Sequence, residues 1–106
     1  MKKPFMVEFE LPEEFDDDFI ALIPSQRLHI DELFAVGKIR SYALSMDRSV
    51  LWVVVEAQSE FEVMEIIANM PLADYMHPFV SELMFYHTAE KLMQFSLNKM
   101  FKLFCS

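Results

Sequence analysis

Apolar and polar residues alternate along residues 4–11 with a period of two. One side of this segment is apolar and consists of Phe5, Val7, Phe9 and Leu11. The other side carries Met6, Glu8 and Glu10. This alternation predicts a strand with one buried face. Pro12 follows directly and ends the predicted strand.

The period changes to that of a helix over residues 13–36. The segment opens on five acidic residues, which favour a helix N-terminus: Glu13, Glu14, Asp16, Asp17 and Asp18. Pro24 interrupts the pattern, so we expect either a kink there or a second helix that begins at Pro24. Gly37, the only glycine of the chain, follows the last helical position. A left-handed residue that ends the helix explains that placement.

Residues 39–45 and 50–57 predict two strands, joined by a polar tip at residues 46–49. The second is a nearly continuous apolar run, as expected for a central strand that is covered on both faces. Ser59 and Glu62 have the spacing of a capping box, which opens a second helix. Its predicted buried stripe consists of Val63, Ile66, Ile67 and Met70. After Pro71 and a connector at residues 72–76, residues 78–87 predict a fourth strand.

The predicted order is βαββαβ, which is the order of the ferredoxin-like α+β fold. We expect one domain over residues 1–88, extended by a C-terminal amphipathic helix within residues 89–106. On a helical wheel, residues 89–104 place six large apolar side chains on one face. Because that face would aggregate if it were exposed, we expect the helix to pack on its own domain or on a partner subunit.

Composition and charge limit the kinds of partner that we expect the chain to bind. The chain has 106 residues, 54% of them hydrophobic, with 11 Phe and 9 Met, which favours a homodimer or larger homo-oligomer. Residues 1–88 contain 6 basic and 16 acidic side chains, and this charge of −10 argues against nucleic acid and makes membrane binding unlikely. The single cysteine, Cys105, fits a reducing compartment, so we expect a cytoplasmic protein.

Three segments resemble the muconolactone Δ-isomerase family. They are Gly37-Lys38-Ile39-Arg40, the strand Val50–Ala57, and Pro71-Leu72-Ala73-Asp74-Tyr75-Met76. The resemblance implies a dimeric α/β barrel, in which ferredoxin-like subunits pair sheet to sheet. It also implies isomerisation of a lactone or an aromatic-derived acid. The sequence departs from the family pattern in several places. Ile39 replaces a Trp, Ser41-Tyr42-Ala43-Leu44 replaces the polar strand residues that follow the Arg, and Phe79 replaces an acidic residue. Gln26-Arg27-Leu28-His29 occupies the region of a Glu-x-Glu-Leu pattern.

Strand parity predicts one cluster of polar and aromatic side chains on a single face of the sheet. Its members are Glu8, Glu10, Arg40, Tyr42, Trp52, Glu82 and Tyr86. An isomerase needs a base and a group that stabilises an enolate. The candidate catalytic residues are therefore Arg40, Glu8 and Glu82. The candidate ligand-pocket residues are Tyr42, Trp52, Tyr75 and Tyr86. Alternatively, Arg40 forms an ion pair with Glu8 or Glu82 at a subunit interface, which the fold alone favours.

No cofactor or metal is expected from the sequence. The histidines lie on separate elements without metal-ligand spacing, and one glycine cannot build a phosphate-binding loop. Two classes of function remain. The first is a small oligomeric enzyme, either isomerase-like or a cofactor-free oxygenase. The second is a non-catalytic homo-oligomer that binds an apolar small molecule or a protein partner. A deep cavity containing Arg40 and a base would favour the enzyme, whereas an apolar or filled one would favour the binder.

Overall fold

The computed structural model of the chain describes residues 1–88. Its regular elements are β1 (Lys3–Glu10), α1 (Asp17–Ala35), β2 (Ile39–Leu44), β3 (Val50–Ala57), α2 (Glu60–Ala68), a short 3-10 helix (Ala73–Tyr75) and β4 (His77–Glu82). The strands form one antiparallel sheet in the order β2-β3-β1-β4. This arrangement confirms the predicted α+β, ferredoxin-like fold.

The hydrophobic core lies between one face of the sheet and the two helices. From the sheet it contains Phe5, Val7, Phe9, Ile39, Leu51, Val53, Val55 and Ala57. From the helices it contains Phe19, Ile30, Leu33, Val63, Ile66 and Ile67. The alternation of β1 therefore has the predicted meaning, because its apolar positions all face the helices. We call this face the helix side of the sheet, and the opposite face the open side.

Helix α1 begins where its first carboxylate caps it. Asp16 Oδ1 accepts a hydrogen bond from the backbone N of Phe19 at 2.8 Å. The helix then continues without a break through Pro24, so the predicted second helix does not form. Proline removes only the hydrogen bond to the carbonyl of Ile20. Because Pro24 and Ile20 are both exposed, water can reach that carbonyl and the helix persists.

Gly37 ends α1 in the left-handed conformation that its position predicts. Its φ is 76°, and its N donates to the carbonyl of Phe34 at 3.1 Å. Lys38 N donates to the carbonyl of Leu33 at 2.9 Å. These two bonds form a Schellman motif, which satisfies carbonyls that the last helical turn leaves open. The chain therefore turns directly from α1 into β2.

Helix α2 has the predicted cap and buried stripe. Ser59 Oγ accepts from Glu62 N at 3.2 Å, and Glu62 Oε1 accepts from Gln58 N at 2.7 Å. Strand β4, in contrast, ends at Glu82 and is shorter than predicted. The ladder between β4 and β1 ends at the pair of Phe5 and Glu82, and one further bond runs from Leu83 N to the Pro4 carbonyl. Because β1 begins at Lys3, which in this register would lie opposite residue 84, residues 85–87 have no part of β1 to pair with.

The structure of residues 1–88 does not test two of the predictions, the C-terminal helix and the cytoplasmic location. The C-terminal amphipathic helix, within residues 89–106, lies outside the described residues. Within residues 1–88, no helix is long and apolar enough to cross a membrane. The cytoplasmic location stays a prediction.

The left-handed conformation of Gly37 predicts the effect of substituting it. No atom lies within 4 Å of a Cβ built at this position, so only the backbone would be strained. We expect Gly37→Ala to lower the free energy of unfolding by about 1 kcal/mol, measured by chemical denaturation. Gly37→Asn is the matched variant, because asparagine tolerates this conformation better. Equal losses for the two variants would contradict the backbone explanation.

Candidate functional site

An extra residue in β2 determines which side chains face the helices. Ile39 lies opposite Val55 on β3, but Ser41 lies opposite Val54, so the register shifts between them. Such a β-bulge adds one residue to the strand. The side chains after it therefore point to the face opposite to the one that strict alternation would give them. After the bulge, Tyr42 lies opposite Val53, which belongs to the helix side.

The predicted cluster on one face is therefore wrong for three of its members, Tyr42, Glu82 and Tyr86. Tyr42 points to the helix side because of the bulge. Glu82 also belongs to that side, because it lies opposite Phe5 at the end of β4, and Lys3 Nζ is 3.7 Å from its carboxylate. Glu8, Glu10 and Trp52 share the open side, as their register requires. Tyr86 follows the end of β4 and is not part of the sheet.

The open side contains two polar pairs. Trp52 Nε1 donates to Glu8 Oε1 at 3.0 Å across β3 and β1. Arg40 Nη1 forms an ion pair with Glu56 Oε1 at 3.2 Å. The alternative interpretation of Arg40 named Glu8 or Glu82 as its partner, whereas the observed carboxylate lies on the adjacent strand.

A cavity of about 800 Å³ opens on the helix side, beside α1 and the ends of β2 and β3. This volume is within the ~300–1,000 Å³ of typical small-molecule sites. Its apolar lining consists of Leu11, Phe15, Phe19, Ile20, Ile23, Leu44, Leu51, Leu72 and Met76. Its polar lining consists of Glu13, Glu14, Gln26, Arg27, Tyr42 and Arg48. Of the seven predicted site residues, only Tyr42 lines this cavity.

Gln26 is the buried polar residue of the cavity. It is 3% exposed, and its Oε1 accepts a hydrogen bond from the backbone N of Leu72 at 3.1 Å. Its Nε2 is also buried and has no hydrogen-bond partner among residues 1–88. An amide donor left unsatisfied in a protein interior costs about 1–3 kcal/mol. A group that accepts from Nε2 inside the cavity would remove that cost.

Tyr42 places a hydroxyl close to this amide. Burial raises the pKa of Tyr42, and the Gln26 side chain offsets part of the rise. The contact between them falls short of full hydrogen-bond geometry, because Nε2 remains unsatisfied. With a pKa above its ordinary value of 10, Tyr42 is a neutral hydroxyl at physiological pH and can donate a hydrogen bond.

Aromatic rings form one wall of the cavity. The rings of Phe15 and Phe19 stack with centroids 4.1 Å apart and planes inclined by 25°. Tyr75 packs edge-on against Phe19 at 5.3 Å, so it supports the wall without lining the cavity. Such packing holds flat apolar surfaces in fixed orientations. The wall therefore suits a planar or ring-shaped ligand.

Comparison with known proteins identifies the family. The sequence model of the muconolactone delta-isomerase family matches residues 4–89. The chain belongs to this family. No curated protein is similar enough to the chain to count as a relative.

A solved member of the same fold family supports the architecture. It is 5-chloro-2-hydroxyhydroquinone dehydrochlorinase from Burkholderia phenoliruptrix AC1100, in complex with 2,5-dihydroxybenzoquinone. The TM-score is 0.62 at 17% identity, over 82% of this chain and 97% of that one. At this identity the similarity shows the fold.

In this member of the muconolactone delta-isomerase family, the sequence contained a signal for Gln26 that parity reasoning did not use. Gln26 shares one face of α1 with Phe19, Ile23, Ile30 and Leu33, at alternating spacings of four and three residues. A polar residue in an apolar helical stripe indicates a specific partner. It also falls in the region where the family has its Glu-x-Glu-Leu pattern.

Metal ligation has no structural support within residues 1–88. No group of three His, Cys, Asp or Glu side chains there is placed to hold an ion. The carboxylates that line the cavity, Glu13 and Glu14, are both exposed. The Gln26 amide and the Tyr42 hydroxyl offer hydrogen-bond donation next to aromatic surfaces, and the charged side chains of the lining add ionic groups to this chemistry.

The Arg40–Glu56 pair predicts a measurable contribution to stability. Its side chains are only 30% and 29% exposed. We expect Arg40→Leu to lower the free energy of unfolding by about 1–3 kcal/mol, between the values for exposed and buried pairs. Lys3→Met, which removes the more exposed pair with Glu82, is the control and should cost less than about 1 kcal/mol. Chemical denaturation of both variants measures the difference, and a neutral Arg40→Leu would show that this pair does not stabilise the fold.

Proposed function

We propose that this protein binds a small ring compound, a lactone or an aromatic-derived acid, in the cavity on the helix side. The observation that carries this proposal is the buried Nε2 of Gln26, which has no partner among residues 1–88. A ring oxygen that accepts from Nε2 satisfies this donor. The Tyr42 hydroxyl, which interacts with the Gln26 side chain, donates to the same oxygen or to its neighbour in this proposal.

The cavity lining supports the same class of ligand. Phe15 and Phe19 offer aromatic surfaces, and Leu51 and Met76 add apolar ones. A ring buried against these side chains gains hydrophobic free energy, and the two donors fix its orientation. The dehydrochlorinase of the same fold holds 2,5-dihydroxybenzoquinone, a planar ring with acceptor oxygens. That compound is therefore a suitable first probe for this cavity.

Isomerisation of such a compound is the second candidate, and family membership favours it. Gln26 and Tyr42 would stabilise an enolate oxygen, as an oxyanion hole does. A base is also required, and the carboxylates nearest to this role are Glu13 and Glu14 at the cavity. Catalytic roles for Arg40, Glu8 and Glu82 stay predictions, and none of these three residues lines the cavity.

Replacing Gln26 with glutamate tests the proposed function. Glu at this position keeps an oxygen acceptor for Leu72 N but replaces the amide donor. We expect Gln26→Glu to weaken binding of 2,5-dihydroxybenzoquinone by about tenfold or more, measured by calorimetric titration. The physical reason is that the introduced carboxylate and the ligand oxygen are both acceptors, so the ligand oxygen loses its hydrogen bond.

Gln58→Leu is the control for loss of a glutamine amide, because Gln58 is exposed and lies outside the cavity. It should bind the probe as the wild type does. Thermal melts of all three proteins show whether Gln26→Glu remains folded. A folded Gln26→Glu variant with unchanged affinity would overturn the assignment of Gln26. If instead it acquires isomerase activity on an unsaturated lactone, a carboxylate at this position is what the wild-type cavity lacks for catalysis.

We also propose that two copies of the chain pair through the open side of the sheet. Trp52 and Phe79 project from this side, on either side of Glu8 in the register, and are 38% and 48% exposed. Met6 and Val54 lie opposite each other on the same side, two residues further along. Large exposed apolar side chains on one sheet face are typical of an interface between subunits. Strand parity predicted that Tyr42 shares a face with Trp52, but Tyr42 lines the cavity on the other side.

A charge at the centre of that face should prevent pairing. We expect Trp52→Lys to convert the dimer to a monomer in light scattering, because an interface cannot bury an ammonium group without a large desolvation cost. Lysine is chosen because Glu8 lies directly opposite and can accept its charge within one subunit. Phe61→Lys, on the exposed surface of α2, is the control and should stay dimeric. A wild-type monomer at micromolar concentration would contradict this proposal.

A further inference from the structure

Arg48 has a backbone conformation that its side chain disfavours. Its φ is 64°, and it is the only residue other than glycine with a positive φ among residues 1–88. The left-handed conformation costs a side chain-bearing residue about 1–2 kcal/mol. Such a conformation persists only where its surroundings hold it, and it is often associated with a functional position.

The turn between β2 and β3 provides that support. Asp47 Oδ1 accepts three hydrogen bonds, from Ser45 Oγ at 2.7 Å, from Ser49 Oγ at 2.7 Å and from Ser49 N at 3.0 Å. Bonds from the Ser49 and Ser45 side chains lower the pKa of Asp47 to about 2. Arg48 N donates to the Ser45 carbonyl at 3.0 Å, which closes the turn. The backbone of Arg48 is therefore fixed from both sides.

The turn brings the Arg48 side chain to the cavity. Arg48 lines it together with Leu44 and Leu51, the residues at the adjacent ends of β2 and β3. Ser49 also holds this end against β1, because its carbonyl accepts from Leu11 N at 3.0 Å. A basic residue of the turn thus lines the same cavity as Gln26, which is buried.

Charge makes this position unusual for the chain. Residues 1–88 carry only 6 basic side chains against 16 acidic ones, yet Arg27 and Arg48 both line the cavity. Within residues 1–88, each of the two ion pairs involves another cation, Lys3 or Arg40. Glu13 and Glu14 also line the cavity but lie more than 4.0 Å from both guanidinium groups. Arg48 is therefore available to a ligand anion.

We propose that Arg48 is the specificity-determining residue of the cavity and binds the carboxylate of an aromatic-derived acid. This inference rests on the proposed function and refines it, since it selects acids over neutral rings. The carboxylate pairs with the planar guanidinium, which matches it with two parallel hydrogen bonds. The ring oxygen accepts from Gln26. Arg27, on α1, adds a second positive charge to the cavity lining.

Arg48→Asn tests the inference with little risk to the fold. Asparagine tolerates the left-handed conformation better than arginine does, so the turn should keep its structure and its melting temperature. The probes are 2,5-dihydroxybenzoate and 2,5-dihydroxybenzamide, which share a ring and differ in charge. We expect the wild type to prefer the carboxylate. In Arg48→Asn, the affinity for the carboxylate should fall about tenfold and that for the amide should change less than about threefold.

Lys38→Asn is the matched control, because it removes one positive charge from an exposed position outside the cavity. It should leave the preference for the carboxylate intact. If Arg48→Asn weakens both probes equally, or neither of them, the role of Arg48 is overturned while the cavity remains a binding site. If the wild type binds neither probe nor 2,5-dihydroxybenzoquinone, the proposed function itself fails, and the inference fails with it.

Discussion

The bulge in β2 determines which polar side chains of this strand lie on each side of the sheet. One extra residue between Ile39 and Ser41 sends Tyr42 towards the helices, while Arg40 reaches Glu56 on the open side. Without that residue, strict alternation would place both side chains on the same face. The cavity would lose its hydroxyl, and the open side would gain a phenol. The assignment of Tyr42 to the cavity depends on this local irregularity.

The core explains why such an irregularity can exist in a small domain. Strand β3 is paired on both sides, and its apolar residues Val53 and Val55 are fully buried. The strand is therefore anchored independently of β2, which lies at the edge of the sheet. Edge strands tolerate bulges better than central ones do, because only one set of ladder bonds is disturbed.

The fold was predictable because each element has a strong local signal. The alternation of β1, the capping box at Ser59 and the glycine after α1 each reflect a backbone requirement that is satisfied within a few residues. Pro24 wrongly suggested a break in α1. Sequence alone does not show that Ile20 is exposed, so that water can reach the carbonyl that Pro24 leaves without a donor. The length of β4 depended on where β1 starts, which is a property of the pairing and not of residues 83–87.

The site was less predictable for a similar physical reason. Counting alternate residues along β2 assumes an unbroken ladder, and nothing in Ile39-Arg40-Ser41 identifies a bulge. The sequence identified Arg48 only as part of a polar turn. Its positive φ could not be predicted, because the hydrogen bonds to Asp47 that hold the turn form only in the folded chain. Gln26, in contrast, could have been found from its place in the apolar stripe of α1.

The Gln26 amide joins two parts of the molecule through a single conjugated group. Its oxygen accepts from Leu72 N, which lies in the connector before β4, and its nitrogen is buried beside the cavity that Gln26 lines. When an amide nitrogen donates a hydrogen bond, electron density shifts towards the oxygen, which becomes a stronger acceptor. A ligand that accepts from Nε2, as proposed above, would therefore strengthen the hydrogen bond at Leu72 N without any movement of the chain. The amide proton of Leu72 would then report spectroscopically on what the cavity contains.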